Sequence, residues 1–491
     1  MKILMVYPDY PDTFWSFKHS LRFIRKKATL PPLGLITVAS LLPKHFEIKL
    51  VDLNIETLEE KDLLWADFVF VSAMITQRES AVRIIKRCKE LGKKTVAGGP
   101  LFTSLHEEFP EVDHFTLNEG EVTIPMFLED LEKGELKRVY TSEIKPDLAI
   151  SPIPQWNLLN QKYYKTMSIQ SSRGCPFDCE FCDIVKLNGR IPRMKSPEQI
   201  TSELDALIAS GWKGSVFFVD DNFIGDKNKS KELLRAIAEW RRARKSNIAF
   251  NTEVSLNLSD DDELMRLMRE AGFNNVFIGL ETPSEESLSE CGKFQNKNRN
   301  LVEAVKTLYR NGFEVSAGFI VGFDSDDLTI FKRQIDFIQK TGVVIAMVGL
   351  LQALPGTRLH ERLKKENRLI ENSSGNNTDL SLNFIPKLSQ DVLVEGYKSI
   401  ITSIYSSKNY YARVLTFIKN YNHHVSDNFD WNSLGAFFKS MFYMGLVDSS
   451  RKYYWKLFFI SLFRYPKSFT KVITMSIYYA HFKKIFGNYA Y

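Results

Sequence analysis

Three cysteines stand within the stretch Ser171-Ser172-Arg173-Gly174-Cys175-Pro176-Phe177-Asp178-Cys179-Glu180-Phe181-Cys182. Thiolates at C-x-x-x-C-x-x-C spacing on one loop can hold three irons of a 4Fe–4S cube, which leaves the fourth iron free for a small molecule. A structural zinc site is the competing chemistry. Zinc asks for four protein ligands, commonly from paired C-x-x-C motifs. No fourth ligand is evident: Cys88 and Cys291 are isolated in sequence, and the 8 histidines are scattered. The spacing favours the cluster. Only 5 cysteines in 491 residues, three of them grouped, suit a metal or redox site in a reducing compartment rather than a secreted disulfide scaffold.

Such a loop needs a rigid scaffold, and the flanking sequence supplies one. Strands are expected near 167–171, 214–219, 247–255, 275–281, 314–320 and 343–351, with helices at 202–210, 231–244, 262–271, 300–311 and 328–341. Six β/α units predict an open barrel with the cysteines after its first strand. Ahead of it, residues 2–7, 47–53, 67–73 and 94–97 read as buried strands alternating with helices, the pattern of a parallel sheet covered on both faces. Ligands of such sheets bind beyond the carboxyl ends of the strands. The turns there are Asp52-Leu53-Asn54, Ser72-Ala73-Met74, Gly98-Gly99-Pro100 and Asn118-Glu119-Gly120-Glu121, and adjacent glycines let a ligand approach the backbone. Pro146, Pro152 and Pro154 mark a linker. The expected division is a Rossmann-like domain at 1–137, a linker at 138–166, the barrel at 167–380 and a helical domain at 381–491, with 372–377 the most flexible-looking loop.

Apolar residues at 44% and charged residues at 25% exclude a disordered chain. No uncharged apolar run reaches bilayer-spanning length and the N-terminus lacks a cleavage site, so a cytoplasmic protein is expected. The net charge of +6 is uneven: residues 401–491 carry 12 Lys/Arg against 3 Asp/Glu, together with 25 of the 62 aromatic residues. A basic aromatic tail could meet an anionic surface, a membrane face or nucleic acid. The plain alternative is an aromatic helical core with snorkelling lysines.

Cys175, Cys179 and Cys182, with Phe181 before the last, resemble the signature of the radical S-adenosylmethionine superfamily, whose partial barrel the six units match. The resemblance implies that the open iron chelates S-adenosylmethionine. It also implies that an electron, from a donor of flavodoxin or ferredoxin type, cleaves that molecule to a 5′-deoxyadenosyl radical. The implied S-adenosylmethionine contacts are Phe181; Asp220, Asp221 and Asn222 after the second strand, where the methionine ammonium is received; Glu253 and Ser255 after the third; Glu281 after the fourth; and Gly318 and Ile320 on the fifth. Asp220 and Asp221 could instead cap the next helix.

A Rossmann-like domain before such a barrel resembles the cobalamin-binding class, on Pro31-Pro32-Leu33-Gly34-Leu35 and the four turns above. Asp52, Asn54, Ser72, Met74, Gly98, Gly99, Pro100 and Glu119 are the implied cobalamin contacts. The Asp-x-His-x-x-Gly motif that places a histidine beneath cobalt is absent. The tail, through Pro386, Tyr405, Tyr410, Tyr411, Arg413 and Arg451-Lys452-Tyr453-Tyr454-Trp455, resembles hopanoid methylases and tetraether-lipid ring synthases. The implied activity is methylation of an unactivated carbon in a lipid-like substrate, with peripheral membrane contact and no nucleic-acid partner. Radical ring closure or carbon–carbon bond formation on a lipid, methylation of a small metabolite or peptide, and a cofactor-binding module without turnover are the alternatives.

Overall fold

Two parallel sheets of six strands carry the chain. The computed structural model describes residues 1–370, 375–376, 380–423 and 431–487, so most of the loop 372–377 lies outside the described residues. The first sheet contains β1 (Lys2–Tyr7), β2 (Glu47–Asp52), β3 (Phe68–Ser72), β4 (Lys94–Gly98), β5 (His114–Thr116) and β6 (Val139–Tyr140), in the order β2-β1-β3-β4-β5-β6. Leu4 and Val6 enter one apolar cluster and Ile3 and Met5 the opposite one. Burial on both faces is why β1 reads as an unbroken apolar run. β5 and β6 are too short to show a period, and β6 falls inside the stretch read as linker.

After β7 (Thr166–Ile169) the chain forms the antiparallel hairpin β8 (Ser172–Arg173) and β9 (Arg193–Met194). Next come β10 (Ser215–Phe218), β11 (Phe250–Glu253), β12 (Phe273–Glu281), β13 (Glu314–Val321) and β14 (Ala346–Leu350). β7 and β10 to β14 pair in sequence order, with β7 and β14 as the two edges, which is an open (β/α)6 barrel. Four of the intervening helices begin at a capping side chain, the first two earlier than expected, at Pro197 rather than 202 and at Lys227 rather than 231. Ser196, Asp226, Asp261 and Asn300 accept the first free backbone N–H groups of the helices Pro197–Ala209, Lys227–Arg244, Asp262–Ala271 and Leu301–Arg310. The helix after β10 is thus capped by Asp226, which leaves Asp220 and Asp221 for other work.

The C-terminal region is helical, with helices Gln390–Ile404, Ser407–Asn420, Trp431–Phe442, Arg451–Arg464 and Phe469–Phe486. Arg413 is fully buried and donates to the carbonyls of Val343 (3.1 Å) and Ile404 and to Gln339 (2.9 Å). Tyr405 donates to the carbonyl of Ala346 at 2.8 Å and Tyr410 to that of Met475 at 2.7 Å. Arg413 and Tyr405 therefore build the joint with the barrel, while Tyr410 ties two helices of the tail together. Among the described residues no helix is long and apolar enough to cross a membrane.

Candidate active site

The cysteine loop is folded by its own backbone. Gly174 has φ +100°, and a Cβ there would meet the carbonyl oxygens of Gly189 and Ile191 at 2.9 Å, so glycine alone closes this turn. Cys175 N–H donates to Gly189 O (3.2 Å) and Glu180 N–H to Cys291 O (2.8 Å). The turn Pro355-Gly356-Thr357 starts the helix Arg358–Lys365, with Thr357 as its cap. Arg358 from that helix donates to Asp178 O at 2.5 Å, and Arg362 pairs with Glu180 at 2.7 Å. Burial pushes the Cys182 thiol up to about 12 and raises those of Cys175 and Cys179, so the loop holds thiolates only with metal bound. Among the described residues no three His, Cys, Asp or Glu side chains, the three cysteines included, are gathered around one point. Cys88 and Cys291 are both buried, and burial likewise pushes each up to about 12.

The strand-end carboxylates divide the work. Asp220, at the end of β10, accepts from Ser171 N–H (2.7 Å), Ser172 Oγ (2.9 Å) and Ser171 Oγ. Burial pushes it up to about 6, against those bonds. Both of its oxygens accept from this segment, and Asp220 secures the start of the cysteine loop. Asp221 accepts from Gly174 N–H at 2.7 Å and Asn188 at 2.9 Å, both through Oδ2. Asn222 lies 3.9 Å from Cys175 Sγ and exchanges hydrogen bonds with Ser255. Glu253 is different. It lines the cavity described below; its backbone carbonyl receives Phe223 N–H at 2.9 Å, while its carboxylate accepts no hydrogen bond from a described residue. Burial and the charges of Asp221 and Asp220 push it up to about 7.

Glu281 adopts φ +62°, unusual for a non-glycine residue. Its carboxylate pairs with Lys293 at 2.7 Å above Gly279, where a Cβ would lie 2.2 Å from Glu281 Oε1. Burial would lower Lys293, but Glu281 outweighs it and keeps the ammonium charged. Gln295 stands 3.9 Å from Cys179 Sγ. Lys293 and Gln295 are missing from the sequence expectation; no periodicity or spacing ties them to the cysteines. Phe181 and Ile320 share one apolar patch with Phe323 and Cys291. A Cβ at Gly318 would touch the Phe277 ring at 3.2 Å, so this glycine makes room for a side chain.

In the first sheet, Asp52 is fully buried and accepts from Tyr164 OH (2.7 Å), Asn54 N–H (2.9 Å) and Asn54 Nδ2 (2.7 Å). Asp52 thus fastens the linker; Asn54 in turn receives Tyr10 N–H at 2.9 Å. Glu119 lines the cavity and is also held by ion pairs. It pairs with Arg173 at 2.7 Å and Arg193 at 2.6 Å, while Glu121 pairs with Arg173 at 2.7 Å. Burial would raise Glu121, but Arg173 brings it down to about 2. Asn54, Ser72, Met74, Gly98, Gly99, Pro100 and Glu119 line the cavity. Gly99 has φ +90°, and a Cβ there would reach Ser72 Oγ at 2.6 Å.

The cavity measures about 2350 Å³, against about 300–1,000 Å³ for ordinary small-molecule pockets. It runs from Ser72, Met74 and Gly99 to Asp221 and Glu253, past Trp15, Phe277, Met347 and Tyr478. Trp15 packs edge-on to Phe277 at 5.3 Å and donates to Met347 Sδ at 3.2 Å. Among the described residues no histidine lines it. The space, the close backbone at Gly98-Gly99 and the unpartnered Glu253 fit a corrin and S-adenosylmethionine side by side.

Comparison with known proteins agrees with this geometry. Residues 23–128 match the B12 binding domain, 169–338 the radical SAM superfamily and 357–490 a domain of unknown function. An uncharacterized methyltransferase of Synechocystis sp. is 44% identical over 84% of this chain and 78% of its own length. The hopanoid C-2 methylase of Rhodopseudomonas palustris is 36% identical over 82% of this chain and 77% of its own. Among solved structures, the cobalamin-dependent S-adenosylmethionine radical enzyme OxsB superposes with a TM-score of 0.63 at 17% identity, covering 100% of this chain and 80% of that one. With both cofactor domains matched and two relatives spanning most of the chain, this protein belongs to the cobalamin-dependent radical S-adenosylmethionine methylase family.

Proposed function

We propose that this enzyme methylates an unactivated carbon of a hydrophobic, lipid-like substrate held between the first sheet and the barrel mouth. The observation that carries the reading is a single cavity reaching both the Ser72–Met74 and Gly98–Pro100 turns and the carboxylates Asp221 and Glu253, with Trp15, Phe277 and Met347 between them. The hopanoid methylase likeness supports a lipid.

In this reading Cys175, Cys179 and Cys182 hold a 4Fe–4S cluster, and Ser72, Met74, Gly98, Gly99 and Pro100 bed the corrin. Glu253 and the free oxygen of Asp221 receive the polar groups of S-adenosylmethionine. When bound, the cluster supplies the electron that cleaves S-adenosylmethionine, and cobalamin supplies the methyl group. The chain positions and shields. Asn222 and Gln295 direct amide N–H groups at the Sγ atoms of Cys175 and Cys179, Lys293 sets a fixed positive charge beside them, and Trp15 keeps water from the apolar wall. The two arginine clamps hold both halves at one separation, on which transfer between them depends. A small reducing protein of flavodoxin or ferredoxin type is the partner this chemistry requires.

The test is lipid mass spectrometry of cells with and without the protein, fed methyl-deuterated methionine. A lipid gaining one labelled methyl group is expected. An unlabelled ring-closed product, or labelled small metabolites with unchanged lipids, would overturn the reading.

A further inference from the structure

The tail divides into a buried half and an exposed half. Tyr454 and Phe458, in the most aromatic stretch, are buried, Lys471 pairs with Glu314, and Lys483 pairs with Asp448. The remainder makes one apolar edge. Phe438, Phe442 and Leu446 recur every four residues through the helix Trp431–Phe442 and the π-helical turn Tyr443–Val447, and so share a face. Trp455 of the next helix donates to Gly445 O at 2.8 Å. Phe459 stacks on Trp455 at 5.8 Å and Phe463 on Phe459 at 6.4 Å, which extends the row. Phe438, Phe442, Leu446, Phe459 and Phe463 are 51–78% exposed. A continuous exposed apolar row of this kind marks a contact surface.

We infer that this edge docks on an anionic lipid bilayer. Residues 431–487 carry nine Lys/Arg and a single acidic residue, Asp448, whose charge Lys483 already takes. Lys439, Arg451, Lys452, Lys456, Arg464 and Lys467 are exposed around the row. Aromatic rings flanked by basic side chains favour the headgroup boundary of an anionic membrane. The same helix leads inward. Ala436, Phe437 and Lys439 line the large cavity, and Phe437 packs on Phe458 and Phe469. An apolar molecule leaving the bilayer at Phe438 and Phe442 therefore meets the cavity wall across one helix. This rests on the lipid-substrate reading and adds the surface from which the substrate is drawn.

The test is co-sedimentation of the full-length protein with phosphatidylcholine vesicles, with and without phosphatidylglycerol, at two salt concentrations. Binding to the anionic vesicles is expected, weakening with salt as screening shortens. Phe442→Asp/Phe463→Asp should lower it about tenfold or more, as should Lys452→Glu/Lys456→Glu by removing the electrostatic attraction. Both variants alter exposed residues and should unfold at the wild-type temperature. Wild-type protein that ignores anionic vesicles at low salt, or an aspartate variant that binds as well as wild type, would overturn the proposal. So would a dimer that the aspartate variant dissociates, which would assign the face to a second copy. Vesicle binding needs no turnover: a protein that binds vesicles yet methylates no lipid removes the substrate reading, and a lipid methylase indifferent to vesicles removes this surface alone.

Discussion

Arg193 and Glu119 meet at 2.6 Å across the boundary between the two sheets. Arg193 lies on the hairpin strand that encloses the cysteine loop, and Glu119 in the turn after β5 of the first sheet. Arg173, two residues before Cys175, reaches the same carboxylate. The radical loop and the cobalamin-binding domain are thereby locked together by charges that both lie largely out of water.

Removing one partner of a buried, hydrogen-bonded pair costs about 3–5 kcal/mol, because the other charge is left uncompensated. Glu119→Gln should therefore lower the unfolding temperature and release cobalamin on gel filtration. Retention equal to wild type would show that the clamp does not set the cavity.

Glu121 gives the clamp a pH signature. Its folded value of about 2 lies below the unfolded value, about 4.3. Its contribution is fully present above the unfolded value and is lost as pH falls toward about 2. Glu121→Gln should be clearly less stable than wild type near neutral pH, with the difference shrinking below about pH 4. Denaturant titrations across that range check this.

Glu253 should behave in the opposite sense. Its folded value of about 7 exceeds the unfolded one, so its contribution is present at low pH and lost as pH rises through about 7. Glu253→Gln should raise the unfolding temperature of the cofactor-free protein at about pH 8 and change it little at about pH 5. If Glu253 receives S-adenosylmethionine, the same variant should bind that molecule more weakly by calorimetry.

Gly99→Val places a β-branched side chain at φ +90°, against Ser72 Oγ. Such strain costs about 1–3 kcal/mol. The turn should deform and cobalamin retention should fall, while the cluster absorbance persists. Unchanged retention would remove this turn from the corrin bed.

Much of this was legible from residue order. The cysteine spacing, the four long strands of the first sheet and the six barrel strands depend on local composition and periodicity, and all are found. The partners of Asp52, Asp220 and Glu119 were not legible. Each sits at a strand end, where ligand contacts belong, but its partner is distant in sequence: Tyr164 for Asp52, Ser171 for Asp220 and Arg193 for Glu119. Lys293 and Gln295 meet the cysteines only because the loop after β12 closes over them. The tail was legible as basic and aromatic, whereas its split into core and exposed row depends on helix packing.

The cluster assignment has its own check. Cys175→Ala, Cys179→Ala and Cys182→Ala should each abolish the iron–sulfur absorbance and 5′-deoxyadenosine formation, while Cys88→Ala and Cys291→Ala keep both. Full iron loading in the triple variant would contradict it.

The central claim is that one cavity holds cobalamin beside the radical centre. Electron paramagnetic resonance of anaerobic protein carrying cob(II)alamin and a reduced cluster tests it most directly. The account predicts stoichiometric cobalamin and a magnetic interaction that broadens both signals, lost in Cys179→Ala. Two signals that simply superpose, or wild-type protein retaining no cobalamin, would contradict it.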